Sequence, residues 1–415
     1  MPPVTLGIDF GTSNSAAGLA VAGRPWLIEL EPGETTLPTA VFYDEGSSNM
    51  RIGHSATRAL ISGDEGRFMR ALKSLLGTPL LREERRIYKQ KTDFIQIIAA
   101  FLRLIKARAE AATGQSFSHA LSGRPVHFHS ADPARDAQAE IDLRECYLAA
   151  GFADVAFLYE PEAAVRSARP KPGLGLIVDI GGGTSDFTLS EQAQNGATHI
   201  LCSHGLRLGG TDFDRQLSID HVMPLLGRGS AIRHTFGGGT LPAPSKIFND
   251  LATWQMIPFL YTAETRRSVQ ELARQAAEPS KLGRLVTVLE EELGHDLAFA
   301  VERGKINAND PQHRNPAIDL RLLERGLSAP LGGGEMAQSL AEMSAQITES
   351  AAETLRRAEV SPSALDRIIL VGGSSLLGAI QQRLRALCPN AELETGNAMT
   401  AVADGLALSA AEAFA

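Results

Sequence analysis

An acidic, glycine-rich stretch carries the residue types from which chemistry could come. Residues 176–187 read LIVDIGGGTSDF, so an apolar run ends in Asp179 and continues into three glycines, Thr184 and Asp186. Glycines let a ligand approach the backbone, and successive N–H groups in such a turn form a concave site that suits phosphate. Two carboxylates would repel bare phosphate, but they suit phosphate that carries Mg²⁺ held largely through water. We therefore predict a metal–phosphate site here.

The N-terminus repeats this plan. The stretch VTLGIDFGTSNSAAGLAVAG alternates apolar residues up to Phe10, turns near Gly11 to Asn14, and continues apolar, which predicts a β-hairpin. Asp9 lies at the mouth of this hairpin and would face the same metal. The two units lie about 170 residues apart and hint at two similar halves.

Other phosphate motifs fit less well. The chain has no GxxxxGK[ST] sequence, and a strand-like SDFTLSEQ follows the three glycines where a dinucleotide fingerprint needs a helix. A tight turn with solvating acids is the alternative interpretation of either motif alone. The second hairpin and a further VGGSS at 371–375 favour the phosphate site.

The elements that must position these residues alternate between strands and helices, which predicts the α/β class. One helix has an apolar face from Phe94 to Ile105, and another starts near Asp132-Pro133 and stops at Gly151. Further predicted features are a linker at 168–175, an insertion rich in helix formers at roughly 215–315 with a loop around glycines 237–239, a strand–turn–helix unit at 365–387, and a final small-residue helix.

The composition and net charge limit the classes of protein and of partner that fit this chain. The 415 residues are 44% hydrophobic and 21% charged, which is typical of a globular protein with two or three domain-sized units. The net charge of −8 argues against nucleic acid or an anionic membrane as the main partner. The cysteines, Cys146, Cys202 and Cys388, lie far apart, and neither a signal peptide nor a long apolar span is present. We expect a cytoplasmic protein with buried, reduced thiols.

Five motifs in order carry a family resemblance. IDFGTSNS, YEPEAAV, VDIGGGTSDF, LGGTDFD and ILVGGSS resemble the nucleotide-binding domain of the seventy-kilodalton heat-shock (DnaK-type) chaperone family, from residue 4 to about 410. The resemblance implies the actin-like ATPase fold, with two lobes of ribonuclease H-like repeats around a central cleft for ATP and Mg²⁺. Lobe I would span 1–170 with the first phosphate hairpin. Lobe II would span 171–415 with the second hairpin, the insertion and an adenosine loop.

The resemblance also implies roles for individual residues. Lys73 would offset charge on the transferred phosphoryl group, and Glu160 would orient the attacking water, although Lys73 could be a surface lysine and Glu160 a helix cap. Asp179 and Thr184 complete the catalytic set, and Asp9, Asp179 and Asp186 would face the metal. The implied nucleotide-binding residues are Gly11, Thr12, Ser13, Gly181, Gly182, Gly183, Thr184, Gly209, Gly210, Glu302, Lys305, Ile306, Gly372, Gly373, Ser374 and Leu376.

This sequence departs from the family pattern at the positions that would contact adenine and in the length of the chain. Ile306 and Leu376 stand where the family has two arginines that sandwich adenine, so cation–π stacking is lost and ATP affinity or base selectivity would fall. Met399 stands where the family has an acid. The chain stops about where the family's nucleotide domain stops, so we expect no peptide-binding domain.

These observations lead to alternative functional expectations. The first is a chaperone-like, slowly hydrolysing ATPase that acts as a nucleotide-dependent switch for an unknown protein partner. The second is a non-hydrolysing nucleotide-binding scaffold or an actin-like assembling protein. A sugar-kinase-like activity is a third, but it needs an acid placed toward a sugar hydroxyl, and the sequence points to none.

Overall fold

The computed structural model describes residues 4–45, 49–87, 90–129, 132–167, 171–194, 197–233, 239–395 and 398–414. The predicted α/β class is confirmed. The strands are β1 Thr5–Phe10, β2 Asn14–Val21, β3 Arg24–Leu27, β4 Thr36–Pro38, β5 Ala40–Asp44, β6 Met50–Ile52, β7 Gly66–Arg70, β8 Arg85–Ile87, β9 Gln90–Thr92, β10 His119–Arg124, β11 Asp154–Tyr159, β12 Gly173–Ile180, β13 Ser185–Gln192, β14 Thr198–Leu206, β15 Ala231–Arg233, β16 Thr240–Pro242, β17 Ala317–Asp319, β18 Ser328–Pro330, β19 Arg367–Val371 and β20 Glu392–Glu394. The helices are α1 His54–Ile61, α2 Phe94–Thr113, α3 Pro133–Ala149, α4 Glu160–Ser167, α5 Gly210–Leu217, α6 Ser245–Ala252, α7 Ala263–Gln275, α8 Pro279–Glu290, α9 Gly294–Asn309, α10 Gly333–Ser339, α11 Ala341–Arg357, α12 Gly378–Leu387 and α13 Ala401–Ser409.

The two largest sheets have the same topology. One has the strand order β3-β2-β1-β10-β11, with β4 also pairing β2, and the other has the order β14-β13-β12-β19-β20. In each, an antiparallel three-stranded meander is followed by two strands that run parallel to its first strand. The predicted repeat is therefore confirmed, and it extends well beyond the two acidic turns.

Helix α3 begins and ends close to where its sequence signals predict, and α2 contains the predicted apolar face. The Asp93 carboxylate accepts the Gln96 N–H at the start of α2, and Gly114 ends that helix in the left-handed conformation. Asp132 caps α3 through the Arg135 N–H, with Pro133 in the first turn. The buried face of α2 packs into the larger apolar core.

Helices α4 and α13 share a second core with strands from both large sheets. Leu121 of β10 and Ile177 of β12 are buried together with Ala163 of α4 and Leu406 of α13. Small residues permit the approach, since a Cβ built on Gly405 of α13 would lie 1.8 Å from the Ala163 carbonyl oxygen. The predicted small-residue C-terminal helix is thus packed backbone to backbone.

The described residues fall into two compact units. The first comprises Met1–Leu208, Ile347–Leu376 and Ile380–Ala415, and the second comprises Gly209–Gln346 and Leu377–Ala379. Both large sheets belong to the first unit, where α13 packs against β1 and β2 of one sheet and against α4, which contacts β12 and β14 of the other. These units do not follow the predicted lobe boundaries at 1–170 and 171–415, which stay a prediction.

The predicted linker needs correction, and most of the predicted insertion loop lies outside the described residues. Residues 168–170 lie outside the described residues, and from Gly173 onward the linker prediction is wrong, because this segment pairs with β13. The apolar run that follows pairs with β13, and the same pairing includes Gly173 and Gly175. In the insertion, glycines 237 and 238 lie outside the described residues, and 240–242 form β16.

Two of the three cysteine thiols are buried in the structure. Cys146 and Cys388 are buried as predicted, whereas Cys202, on the edge strand β14, is partly exposed. All three are free thiols. Among the described helices, none combines the length and apolar character that a membrane crossing needs.

We expect Gly405→Ala to lower the free energy of unfolding by about 1–3 kcal/mol, because the added methyl group would overlap a backbone carbonyl that cannot rotate away. Urea denaturation followed by circular dichroism measures the change. Gly283→Ala in α8 is the matched control, since nothing lies within 4 Å of its Cβ position. Its effect should be neutral or stabilising by up to about 1 kcal/mol. Equal destabilisation by both variants would contradict the close-packing explanation.

Candidate functional site

The shared plan of the two hairpins places carboxylates at equivalent strand ends. Asp9 lies near the end of β1, opposite Ala16 of β2. Asp179 and Asp186 lie directly opposite one another in the β12–β13 pair. Like charges in this arrangement destabilise a hairpin unless a proton or a cation neutralises them. Local pairing therefore points to a charged ligand.

The turns of the two hairpins contact each other. A Cβ built on Gly182 would lie 2.2 Å from Ser13 Oγ, so no side chain fits there without displacing the serine. The Gly181 N–H donates to the Thr184 carbonyl oxygen at 2.9 Å and closes the second turn. Gly183 faces open space. The structure thus brings both predicted phosphate turns together and leaves one backbone face open to a ligand.

Lys73 is buried against the acids rather than exposed. Its Nζ lies 2.5 Å from Glu160 Oε1, and the lysine is 8% exposed, so the surface interpretation is wrong. The lysine sits in a 3₁₀ turn, Leu72–Leu75, and Glu160 is the first residue of α4, directly after β11. The ion pair therefore joins two segments that are 87 residues apart.

Charge repulsion and burial shift the proton affinities of this cluster. Burial and the neighbouring Glu160 raise the pKa of Asp9 to about 7, and the same two causes raise the pKa of Asp186 to about 7. The pKa of Asp179 is raised well above its usual range by burial and by the surrounding carboxylates. Burial alone would lower the pKa of Lys73, but Glu160, Asp9 and Asp179 outweigh it and raise the pKa.

The donor set fits a hydrated divalent cation. Four carboxylates face one ammonium, so negative charge remains that a cation would neutralise. Among the described residues, no three or more His, Cys, Asp or Glu side chains are arranged to hold a metal directly. Oxygen-only donors in a site that keeps water are the environment that Mg²⁺ prefers.

A small cavity lies beside the acids, lined by Pro125, Val126, Glu160, Pro161, Ile177, Asp179, Asp186 and Thr188. The sequence analysis missed Thr188 and Pro125. Thr188 follows Asp186 by two residues in β13, so strand periodicity places both side chains on one face. That period-two signal could have identified the threonine. No sequence signal points to Pro125, and only the tertiary fold brings it to the cavity.

The predicted adenosine loop follows β19 and packs against the end of β12. Gly372 has φ +76°, and its Cβ would lie 2.3 Å from the Ile180 carbonyl oxygen, so only glycine fits. A Cβ on Gly373 would lie 3.0 Å from Met399 Sδ. Ser374 and Leu376 belong to the short 3₁₀ turn Gly373–Leu376. The loop is therefore next to Asp179, which precedes Ile180.

The other predicted residues lie in the second unit. Gly209 precedes α5, and its N–H donates to Asp212. Lys305 of α9 is 7% exposed and forms an ion pair with Asp214 of α5 at 2.8 Å. Ile306 is 59% exposed. Helical spacing places Glu302 on the same face of α9 as Lys305 and Ile306, and Gly210 is the first residue of α5.

A family model and several curated proteins match this chain. The family model described as Hsp70 protein matches residues 5–234 and 297–412. Chaperone protein DnaK of Cenarchaeum symbiosum (strain A) is 27% identical over 98% of this chain and 54% of the relative. The DnaK proteins of Nitrosopumilus maritimus (strain SCM1) and Mycoplasmoides gallisepticum are each 26% identical, over 98% and 93% of this chain and 55% and 56% of the relatives. The chain spans about half the length of these curated relatives.

We expect metal-free protein to lose stability as pH rises from 5 to 8. Asp9 and Asp186 hold protons in the folded state up to about pH 7, whereas unfolded aspartates release them near pH 4. The folded state thus binds more protons in this window, and the free energy of unfolding falls with pH. Asp186→Asn should flatten the slope and stabilise the protein at pH 8 by about 1–3 kcal/mol.

Thermal and urea unfolding in EDTA at each pH measure this difference. Asp319→Asn is the control, because Arg321 lowers the pKa of Asp319 to about 2, so this aspartate is ionised in both states between pH 5 and 8 and its replacement should leave the slope unchanged. A slope for Asp186→Asn identical to that of wild type would contradict the proposed protonation.

Proposed function

Because this chain belongs to the Hsp70 family, whose members have the actin-like ATPase fold, we propose that it binds ATP with Mg²⁺ and hydrolyses ATP slowly to ADP and phosphate. The observation that carries the proposal is the buried Lys73–Glu160 ion pair among the carboxylates of two touching glycine turns. This arrangement costs stability in the absence of a cation, which favours a role in binding over a role in folding.

The backbone of the two turns binds the phosphates. Residues 11–13 and 181–183 form the two turns that would surround the phosphates, Gly183 faces open space, and Thr184 adds a hydroxyl that donates to Asp186. Asp9, Asp179 and Asp186 would hold Mg²⁺ through water. The metal would neutralise charge on the phosphates.

The side chains around the small cavity perform the hydrolytic step. Glu160 and Thr188 line this cavity with Asp179, and a water molecule there would donate a hydrogen bond to the Glu160 carboxylate, which would orient it for attack. Lys73 stabilises the negative charge that develops as the phosphoryl group transfers. Because the Lys73 pKa is raised, the ammonium keeps its proton and acts as a fixed charge rather than as an acid.

We base the proposed biological role on the names of the relatives. Their printed name is chaperone protein DnaK, and we propose a chaperone-like, nucleotide-dependent switch that a protein partner recognises. Ile306 and Leu376 are aliphatic, so neither can supply cation–π stacking, and we expect ATP affinity and base selectivity to be lower than arginines would allow. The proposed site needs neither nucleic acid nor a membrane.

A non-hydrolysing scaffold or assembling protein is the second candidate. The exposed Ile306 favours it, because this position loses the charged group that would hold a base tightly. Sedimentation with and without ATP separates the candidates. Nucleotide-dependent assembly without phosphate release supports the scaffold, whereas phosphate release from a species of constant size supports the ATPase.

We expect Lys73→Ala to lower the single-turnover rate of ATP hydrolysis by about 10²–10³-fold while ATP affinity changes little. The lysine acts on charge that appears only in the transition state, so binding of the ground state depends on it less. Rapid-quench assays with excess protein measure the rate, and fluorescence titration with labelled ATP measures the affinity.

Lys91→Ala is the matched control, since Lys91 pairs with Glu84 in a fully exposed ion pair. Its rate should equal that of wild type. A Lys73→Ala protein that hydrolyses ATP at the wild-type rate would remove Lys73 from the mechanism. Wild-type protein that binds ATP without hydrolysis would favour the scaffold.

A further inference from the structure

The loop that carries Lys73 is held in an unusual backbone conformation at both ends. Ala71 precedes the lysine turn with φ +56°, and Gly77 follows it with φ +72°. A left-handed conformation at a non-glycine residue costs about 1–2 kcal/mol and persists where the surroundings impose it. A Cβ on Gly77 would lie 2.4 Å from the Arg135 carbonyl oxygen. The loop therefore depends on contacts with neighbouring elements.

Asp142 of α3 supplies one of these contacts from a buried position. It is 1% exposed, and its Oδ2 accepts the Gly77 N–H at 2.9 Å. Its Oδ1 accepts from Arg82 Nη2 at 2.6 Å and from Gln138 Nε2 at 2.8 Å. Both oxygens are thus engaged, which offsets the cost of burying a carboxylate.

A second contact supports the same loop end. The His129 Nε2–H donates to the Leu76 carbonyl oxygen at 2.7 Å. Leu72 and Leu76 are each 1% exposed and anchor the loop in the apolar core. Apolar contacts alone tolerate small slips, whereas directional hydrogen bonds to Leu76 and Gly77 fix the register of the backbone.

We propose that Asp142 is a positioning residue for Lys73: its carboxylate fixes the Gly77 amide, and the loop then delivers the Lys73 ammonium to Glu160. Asp142 makes no contact with Lys73 itself, so its action is indirect. The inference rests on the proposed role of Lys73 in hydrolysis. It adds a residue on α3 that neither the motifs nor the acid cluster contains.

The test compares Asp142→Asn with Glu145→Gln. Glu145 is the matched control, because it lies on the same helix and binds the same Arg82 Nη2 at 2.8 Å, while Asp142 also binds the loop. The first measurement is the acetylation rate of Lys73 in nucleotide-free protein, followed by mass spectrometry with limiting acetic anhydride. The second is single-turnover hydrolysis together with ATP affinity.

For Asp142→Asn we expect Lys73 to be acetylated about five- to tenfold faster, the change that loss of one hydrogen bond produces. The hydrolysis rate should fall about 10- to 100-fold with ATP affinity unchanged, as misplacement of a catalytic group predicts. Glu145→Gln should match wild type in all three measurements.

Several results would overturn the inference. Wild-type acetylation and hydrolysis in Asp142→Asn, with only a lower melting temperature, would make Asp142 merely structural. Equal effects of both variants would assign the result to Arg82. If Asp142→Asn does not fold, His129→Phe removes the second contact and must give the same direction of change. If wild type hydrolyses no ATP, the proposed function fails, and the acetylation rates alone decide the positioning role.

Discussion

The ion pair between Lys73 and Glu160 is the interaction on which the candidate site depends. Among the described residues, Lys73 supplies the positive charge that acts on Asp9, Asp179, Asp186 and Glu160. At an effective dielectric constant of about 20, a pair at 4 Å is worth about 4 kcal/mol, so removing the ammonium would leave four carboxylates repelling one another in a poorly solvated space. The remaining charge is what a hydrated cation and its phosphates would balance.

The second core connects this charge cluster to the rest of the fold. Glu160 begins α4, and α4 packs backbone to backbone on α13 through Gly405. The same helix α13 packs on β1, which carries Asp9. Gly7 permits this approach, since a Cβ there would lie 2.8 Å from the Leu406 backbone. Small residues in α13 thereby set the separation between elements that deliver the acids. A packing defect there would reach the site without touching it.

Membership of the Hsp70 family limits what the site can be, but this chain differs where a base would bind. Lys305 forms an ion pair with Asp214, and Ile306 and Leu376 are aliphatic, so neither can supply cation–π stacking. The two glycine turns keep the carboxylates and hydroxyls on which the proposed function rests. We therefore expect nucleoside binding to be weaker than the family pattern implies.

Local patterns in the sequence determined the elements and the turns. Alternation identified both hairpins, an apolar helical face identified α2, and start and stop signals identified α3. The glycine-rich turn identified the motif with Asp179 and Asp186. These signals could be read locally because each acts over a few residues. Only tertiary structure decided that Lys73 is buried against Glu160, that Thr188 and Pro125 line a cavity, and that Asp142 holds the loop at Gly77. These contacts join residues far apart in the chain, so their existence depends on packing that no local pattern encodes. The linker prediction was wrong for the same reason, since pairing with β13 gave structure to glycines that look unstructured alone.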